Sequence, residues 1–301
     1  MRAAMLIAVT LVSPDVAASE DGARRIDAAM AKLGAPVKRT TALGPGAIDL
    51  IVEADTPPDI HLAVRLALGE APVDLCVQPW EGRRKRLLVA DMDSTIIGCE
   101  CLDELADQAG LKPRIAAITE RAMRGEIAFA PALRERVALL KGLPLDALER
   151  TWRERVRLNP GARSLVATMK KHGATTLLVS GGFTYFTSRV AAEAGFDDHR
   201  ANVLLDDGAA LTGAVREPIL GREAKLEALT SQAARLRVAI DDTLAVGDGA
   251  NDLDMIRSAG LGVAYHAKPV VADAAPARID HGDLRALLYL QGYRDDEIVG
   301  A

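Results

Sequence analysis

Three short apolar segments of this 301-residue sequence are each followed directly by polar residues. In an open parallel sheet, the carboxyl ends of the strands form the crevice in which ligands bind, so we expect the three polar runs to meet in one site. The runs are DMDST beginning at Asp91, SGG beginning at Ser180 and GDGAND beginning at Gly247.

These runs supply carboxylates, a hydroxyl and glycine amides, and Lys225, on a predicted helix between the second and third runs, adds one ammonium group. Metal-assisted phosphoryl transfer requires this set of groups. Taken alone, Ser180 would indicate only a turn and Lys225 only a solvated lysine. Their order along the chain, between two acidic runs, favours a common site.

The run at Asp91 also begins like a calcium-binding loop. Such a loop needs glycine at its sixth position and an acid at its twelfth, whereas this sequence has Ile96 and Leu102 there. Magnesium binds through a few carboxylates, waters and substrate phosphate, so Mg²⁺ is the expected cofactor.

The runs must be held by strands that alternate with helices, the pattern of an α/β fold with a doubly wound parallel sheet. The stretch from about Cys99 to Arg157 is helical and too long for one crossover, so it predicts an inserted helical cap at about residues 98–163. Asn202–Leu205 and Ala210–Val215 predict a hairpin at the edge of the sheet. The predicted strands of the sheet are Leu87–Ala90, Thr175–Val179, Thr243–Val246 and Leu261–Ala264.

Residues 1–80 predict a separate α+β domain in the ferredoxin-like order strand, helix, strand, strand, helix, strand. Its first helix is expected to be capped by Ser19, with Glu20 and Asp21 in the first turn, and to end at Gly34. The predicted shape resembles that of small-molecule-sensing ACT domains. The other predicted elements are strands Leu6–Val12, Val37–Leu43, Ala47–Ala54 and Val73–Val77 and a helix over about Ile60–Leu68.

The first strand has a competing interpretation. Arg2, the apolar run from Ala3 to Val12 and the small residues Val16-Ala17-Ala18 also resemble a secretory signal. The strand is favoured because the ferredoxin-like order needs it. After this domain, Glu81–Arg86 is typical of a solvated linker that few contacts cross, and residues 81–301 follow as the second domain.

The composition argues against several classes of function. A net charge of −5 and a pI near 5.6 argue against a nucleic-acid partner. No apolar run reaches the roughly 18 residues of a membrane span. The three cysteines have no CxxC spacing, which indicates reduced thiols in the cytoplasm and neither a disulfide framework nor a zinc site.

DMDST, Ser180, Lys225 and GDGAND stand in the order of the four motifs of the haloacid dehalogenase superfamily, and the sequence resembles that family from about Leu87 to His266. The longer run DMDSTIIGCE narrows the resemblance to the two-domain phosphoserine phosphatases. The resemblance implies that Ser180 and Gly181 hold phosphate oxygens and that Asn251 lies beside the substrate. The metal ligands that it implies are Asp91, the main-chain carbonyl of Asp93, and Asp248.

The chemistry of these residue types agrees with that resemblance. As a nucleophile, Asp91 would form an aspartyl phosphate and split one hydrolysis into two steps. Asp93 would protonate the leaving serine oxygen and then activate water. A phosphate dianion beside ionised Asp91 and Asp248 brings about four negative charges together, of which a divalent cation and Lys225 would cancel roughly three.

Substrate recognition must come from the inserted cap. Phosphoserine carries an ammonium and a carboxylate, so its pocket needs an acid and an arginine. Glu100 follows Asp91 closely enough to stand over the site. By the resemblance, Arg136 is the carboxylate ligand, and Phe129 and Met123 are apolar lid contacts.

The expected function is hydrolysis of O-phospho-L-serine to L-serine and phosphate, the last step of serine biosynthesis. A phosphatase or phosphotransferase for another small phosphorylated amino compound stays open, as does a homodimer. A regulatory binding protein with an idle core is the alternative from another class. The intact set Asp91, Asp93, Lys225 and Asp248 argues against that alternative.

Overall fold

The computed structural model describes residues 5–54, 57–123 and 126–300 of the chain. Its N-terminal part has the elements β1 (Met5–Val12), α1 (Val16–Lys32), β2 (Val37–Gly44), β3 (Ala47–Ala54), α2 (Pro57–Leu68) and β4 (Asp74–Pro79). The four strands form an antiparallel sheet in the order β2-β3-β1-β4, with both helices packed on one face. This arrangement confirms the predicted ferredoxin-like domain.

Strand β1 pairs with both β3 and β4 in the interior of this sheet, which confirms the strand interpretation of that segment. Helix α1, however, begins four residues before its predicted start. Asp15 caps it by accepting a hydrogen bond from the N–H of Ala17 at 2.9 Å, so the prediction of Ser19 as the cap was wrong. Ser19 lies buried within the first turn.

The second part is a six-stranded parallel sheet in the order β12-β11-β10-β5-β6-β7, with helices on both faces. Its elements are β5 (Leu87–Ala90), α3 (Cys101–Gln108), α4 (Lys112–Met123), α5 (Phe129–Ala138), α6 (Asp146–Arg155), α7 (Ala162–Lys171), β6 (Thr175–Phe183), α8 (Thr184–Ala194), β7 (Asp198–Asn202), β8 (Leu204–Asp206), β9 (Leu211–Val215), α9 (Arg222–Leu236), β10 (Thr243–Gly247), α10 (Leu253–Ser258), β11 (Leu261–Tyr265), α11 (Pro269–Ala272), β12 (Ala277–Ile279) and α12 (Ala286–Leu290).

Alternate residues of β5 face opposite sides of this sheet. Leu88 and Ala90 pack in the core that contains α7 and α8, whereas Leu87 and Val89 pack in the core that contains α9. Because both faces are buried, the strand is a continuous apolar run, as is typical of a parallel sheet. The doubly wound α/β fold is therefore confirmed. Helices α3–α6 form the inserted cap between β5 and β6.

Two strands, β7 and β12, were not predicted because neither carries an apolar run. Both lie at the edges of the sheet. The predicted hairpin forms, as β8 and β9, but its place at the sheet edge was wrong. It is a separate two-stranded sheet that binds the cap, since the N–H of Leu211 donates to the carbonyl of Leu143 at 2.9 Å and the N–H of Gly142 donates to that of Leu211 at 2.8 Å.

The segment Glu81–Arg86 is not a solvated linker. Arg83 and Lys85 are only 7% and 8% exposed, and the guanidinium of Arg83 forms an ion pair with Asp49 of β3 at 2.5 Å. The core of the second part also includes Val12, Leu43, Ala47 and Cys76 from the first. The expectation that few contacts cross the linker was therefore wrong, while the domain boundary near residue 80 stays a prediction.

Within the described part of the chain, no helix combines the length and apolar character needed to cross a bilayer.

Candidate active site

Asp91 stands at the carboxyl end of the central strand β5. Its main-chain N–H donates to the carbonyl of Val246 in β10 at 3.0 Å, and its side chain is 5% exposed. The chain then makes a wide turn, closed by the N–H of Ile97 and the carbonyl of Met92 at 3.0 Å. Within that turn Ser94 takes a left-handed conformation with φ +56°. The turn carries the next functional residues back over the end of the sheet.

Lys225, in the first turn of α9, links two of the acids. Its ammonium lies 2.6 Å from Oδ1 of Asp91 and 2.5 Å from Oδ1 of Asp252, and all three side chains are buried. Burial alone would lower the pKa of Lys225, but the charges of Asp252 and Asp91 outweigh it and raise that pKa. Lys225 therefore stays protonated. The contact places its charge beside Asp91, and its role in catalysis stays a prediction.

The GDGAND run forms a tight turn after β10. The second carboxylate oxygen of Asp252 accepts a hydrogen bond from the N–H of Gly249 at 3.0 Å, so both of its oxygens are engaged within the protein. A side chain at position 247 would collide with Asp252, which is why this turn requires Gly247. Asn251 lies half-buried on the same turn.

Asp248 is 8% exposed and accepts a hydrogen bond from the hydroxyl of Thr95 at 3.3 Å. One carboxylate oxygen each of Asp91, Asp248 and Asp252 lie within 4.8 Å of one another. Burial raises the pKa of Asp248 to about 6, with repulsion from Asp252 as the next cause. Burial and then repulsion from Asp252 also raise the pKa of Asp91 well above its ordinary value. Such crowding of buried carboxylates is relieved by a bound cation.

Asp93, in the first polar run, connects that run to Ser180 of the second run. Its Oδ2 accepts from the hydroxyl of Ser180 at 3.0 Å, and its Oδ1 accepts from the N–H of Cys101 at 2.9 Å. Burial, followed by repulsion from Glu100, raises the pKa of Asp93 to about 6. A carboxyl group held in this way can exchange a proton near neutral pH.

Ser180 and Gly181 stand at the bend of β6, beneath the cap. The N–H of Gly182 donates to the Ser180 hydroxyl at 2.8 Å. A Cβ atom at position 181 would lie 3.2 Å from the ring of Phe129, so the first residue of α5 covers this part of the site. Phe129 thus lies beside Gly181, and its role as a lid contact stays a prediction. The side chain of Met123, the other predicted lid residue, lies outside the described residues.

Glu100 and Arg136 both belong to the cap. Glu100 precedes α3, and its Oε1 accepts from the hydroxyl of Ser94 at 2.7 Å. Desolvation raises its pKa, and repulsion from Asp248 contributes in the same direction, which places it near the acids of the core. Arg136 is half-buried on α5, where burial lowers its pKa while Asp103 and Glu100 raise it. The cap thus holds a carboxylate and a guanidinium close enough for their charges to interact.

The sequence did not identify Asn202, which hydrogen-bonds to the main chain at two separate segments of the site. Its side-chain amide donates to the carbonyl of Gly181 at 2.8 Å, and its oxygen accepts from the N–H of Leu220 at 2.8 Å. Asn202 is 2% exposed at the end of β7. Like the three polar runs, it is a polar residue at a strand end, but the sequence pattern places it in the hairpin.

The fold and these contacts define a hydrolase of the phosphoryl-transfer type, and comparison with known proteins agrees. Residues 88–257 match the family model of the haloacid dehalogenase-like hydrolases. The chain belongs to this family. A solved HAD-family hydrolase from Salmonella enterica serovar Typhi has the same overall fold, with a TM-score of 0.83, 30% identity and coverage of 97% of this chain and 99% of that one.

Within the family, the chain is similar to phosphoserine phosphatases. That of Polaromonas sp. is 49% identical over 210 residues, which are 68% of this chain and 89% of the relative. A solved phospho-aspartyl intermediate analogue of phosphoserine phosphatase has a TM-score of 0.63 at 38% identity, covering 68% of this chain and 98% of that one.

Proposed function

We propose that this chain hydrolyses O-phospho-L-serine to L-serine and phosphate. The observation that carries the proposal is the combination of a phosphoryl-transfer site at the strand ends with a pair of oppositely charged residues in the cap. At the strand ends a buried lysine lies against the proposed nucleophile, and in the cap the charges of Glu100 and Arg136 interact with each other. An acid for the substrate ammonium and an arginine for its carboxylate suit an amino acid better than a sugar phosphate. The similarity to named phosphoserine phosphatases supports the same substrate.

In the first half of the reaction, Asp91 is the nucleophile. Its carboxylate attacks phosphorus, forms an aspartyl phosphate and releases the serine oxygen. Asp93, whose pKa near 6 keeps part of the population protonated at neutral pH, donates a proton to that oxygen. In the second half, the same carboxylate takes a proton from the water that attacks the aspartyl phosphate. The enzyme then returns to its starting state with phosphate bound.

Charge neutralisation is assigned to Lys225 and to a divalent cation. The oxygen-only donor set fits Mg²⁺, and Asp91, the main-chain carbonyl of Asp93, and Asp248 would hold it. Asp252 is left out of this set because its oxygens already serve Lys225 and Gly249. When bound, magnesium would supply positive charge beside the phosphate oxygens.

Phosphate binding is assigned to the end of β6 and to the adjoining turn. The Ser180 hydroxyl and the Gly181 N–H are the donors proposed for phosphate oxygens, and Asn251 is placed beside the substrate. Phe129 limits access of water to the same region. We further propose that the enzyme acts in the cytoplasm, where its three free cysteines would stay reduced.

A phosphate-release assay on the full chain tests the function. Phosphoserine, phosphothreonine, homoserine phosphate and sugar phosphates are compared with magnesium and after chelation. We expect phosphoserine to be turned over fastest, and only with the cation present. A sugar phosphate as the best substrate would contradict the assignment to phosphoserine. Undiminished activity after exhaustive chelation would contradict the proposal that magnesium is the cofactor.

A further inference from the structure

Asp74, at the first position of β4, is a buried carboxylate in the N-terminal part of the chain (residues 5–79). It is 2% exposed. Its Oδ1 accepts hydrogen bonds from the N–H groups of Asp280 at 2.7 Å and His281 at 3.1 Å, and its Oδ2 accepts from the N–H of Gly282 at 2.7 Å. One side chain of the first domain therefore holds the turn that follows β12 in the second.

A buried carboxylate is stable only when hydrogen-bond donors compensate for the water that it has lost. Burial raises the pKa of Asp74, and the three main-chain donors, together with the charge of His281, act in the opposite direction. Hydrogen bonds from N–H groups to a carboxylate are stronger than neutral ones, and each requires the turn to keep its shape. Asp74 thus fixes the geometry of residues 280–282.

The same turn holds His266, which follows β11. The carbonyl of Gly282 accepts a hydrogen bond from Nε2 of His266 at 3.0 Å, and the N–H of His266 donates to the carbonyl of Ile279 at 2.8 Å. His266 has φ +42°, a left-handed conformation that residues other than glycine rarely adopt. Such a conformation persists where its surroundings determine it, and here those surroundings are the turn.

Two residues later the loop reaches the active site. The N–H of Lys268 donates to the main-chain carbonyl of Asp248 at 3.2 Å. The ammonium of Lys268 is exposed, and its charge acts on the carboxylates of both Asp248 and Glu100. A continuous path of hydrogen bonds and short chain segments therefore runs from Asp74, through the turn and His266, to Asp248.

We propose that Asp74 is a positioning residue for the active site: through the turn 280–282 and the loop 266–268, it sets the place of Asp248. The inference deepens the proposed function, since Asp248 is one of the proposed magnesium ligands. Replacement of a group hydrogen-bonded directly to a metal ligand typically changes metal affinity by about 10- to 100-fold, and for the longer path from Asp74 we expect the lower end of that range. The N-terminal domain is then part of what makes the active site competent.

A simpler role would be to hold the two domains together. Gln78, also on β4, offers a matched control because its side-chain amide donates to the carbonyl of Leu290 at 2.6 Å. Gln78→Ala removes an interdomain hydrogen bond from the same strand but does not touch the turn or the loop. A role in docking alone predicts changes of the same kind in both variants, larger for Asp74→Asn because it affects more hydrogen bonds, whereas the proposed path predicts an effect of Asp74→Asn only.

The test uses the full chain with each replacement and two measurements. Hydrogen–deuterium exchange, measured without metal, is followed over residues 247–252 and 264–268, and magnesium binding is followed by calorimetry. We expect Asp74→Asn to speed exchange in both segments several-fold and to weaken magnesium binding by about 10-fold. Gln78→Ala should change neither. Wild-type exchange rates in Asp74→Asn, or faster exchange over the same two segments in Gln78→Ala, would overturn the proposal.

A second variant tests the same path in case Asp74→Asn does not fold. His266→Asn keeps a residue type that tolerates the left-handed conformation, but its side chain is too short to reach Gly282. We expect it to reproduce the change in exchange over residues 247–252, and unchanged exchange there would overturn the proposal. If the wild-type chain binds no magnesium, the proposed cofactor fails, and the exchange measurements still decide the role of Asp74.

Discussion

The ammonium of Lys225 lies 2.6 Å from the carboxylate of Asp91, the proposed nucleophile, and both side chains are buried. This contact keeps one positive charge where an anion must approach another anion. We expect Lys225→Gln to lower kcat at least about 100-fold. Removal of a single hydrogen-bond donor that stabilises charge in the transition state typically has an effect of this size. Phosphate release under saturating magnesium measures it, with a melting curve to show that the variant is folded. A folded variant within a few-fold of wild type would contradict the role.

Asp91→Asn should abolish turnover while magnesium and phosphoserine still bind measurably. The amide oxygen of asparagine is too weak a nucleophile for attack on phosphorus, but it can still accompany Asp248 as a neutral ligand. Single-turnover assays with mass spectrometry, which also excludes deamidation of the introduced asparagine, provide the measurement. Appreciable steady-state turnover by the intact Asp91→Asn variant would remove Asp91 from the nucleophile role.

Asp93→Asn should impair hydrolysis of phosphoserine more than hydrolysis of an activated aryl phosphate. A serine alkoxide is a poor leaving group and needs a proton, whereas an aryl oxide leaves without one. Hydrogen bonds with Ser180 and Cys101 fix the orientation of the Asp93 carboxyl group. The ratio of kcat/KM for the two substrates is the measurement. Equal relative losses would contradict general-acid catalysis by Asp93.

Glu100→Ala and Arg136→Ala should each reduce phosphoserine hydrolysis at least about 100-fold more than aryl phosphate hydrolysis. Each removes the partner of a charged group that the aryl ester lacks. Arg134→Ala is the matched control, because Arg134 lies on the same helix but is exposed and paired with Glu217 at 2.7 Å. We expect that control to leave both activities unchanged. Equal damage to both substrates in the first two variants would make Glu100 and Arg136 structural.

Arg83→Ala and Arg84→Ala should differ strongly in stability although the two residues are adjacent. Breaking the buried pair leaves Asp49 uncompensated at 1% exposure, which costs about 3 to 5 kcal/mol of unfolding free energy. Arg84 forms a partly exposed pair with Glu297 and stacks on Tyr293, so its loss should cost about 1 to 2 kcal/mol. Urea unfolding of the two variants makes the comparison. Equal costs would show that the Arg83 contact contributes no more than a surface pair.

The active site could be predicted from the sequence to a large extent because its residues follow apolar strands. Each run, at Asp91, Ser180 and Gly247, is local, and the parallel sheet brings the strand ends together. The edge strands β7 and β12 could not be predicted, since they are short and lack apolar runs. Asn202 was missed for this reason.

Buried charges were the least predictable feature. Arg83 lies in a basic run that looks solvated, and its partner Asp49 is 34 residues away in the chain. Asp74 accepts hydrogen bonds from residues 206 to 208 positions further on. No local pattern marks a carboxylate whose partners are main-chain N–H groups of a distant turn. Such contacts depend on how the domains pack, which residue spacing does not encode.

The hairpin β8–β9 gives the cap an unusual kind of attachment. Main-chain hydrogen bonds from residues 142 and 145 of the cap reach the hairpin, whereas α6 meets the core through the buried Leu148 and a polar side-chain contact, with Glu149 accepting from Tyr185 at 2.7 Å. Exposed polar pairs separate at little cost, and paired backbone groups do not. Any displacement of the cap from the sheet would therefore carry the hairpin with it. The length of residues 204–215 would then set how far the cap can move from the sheet.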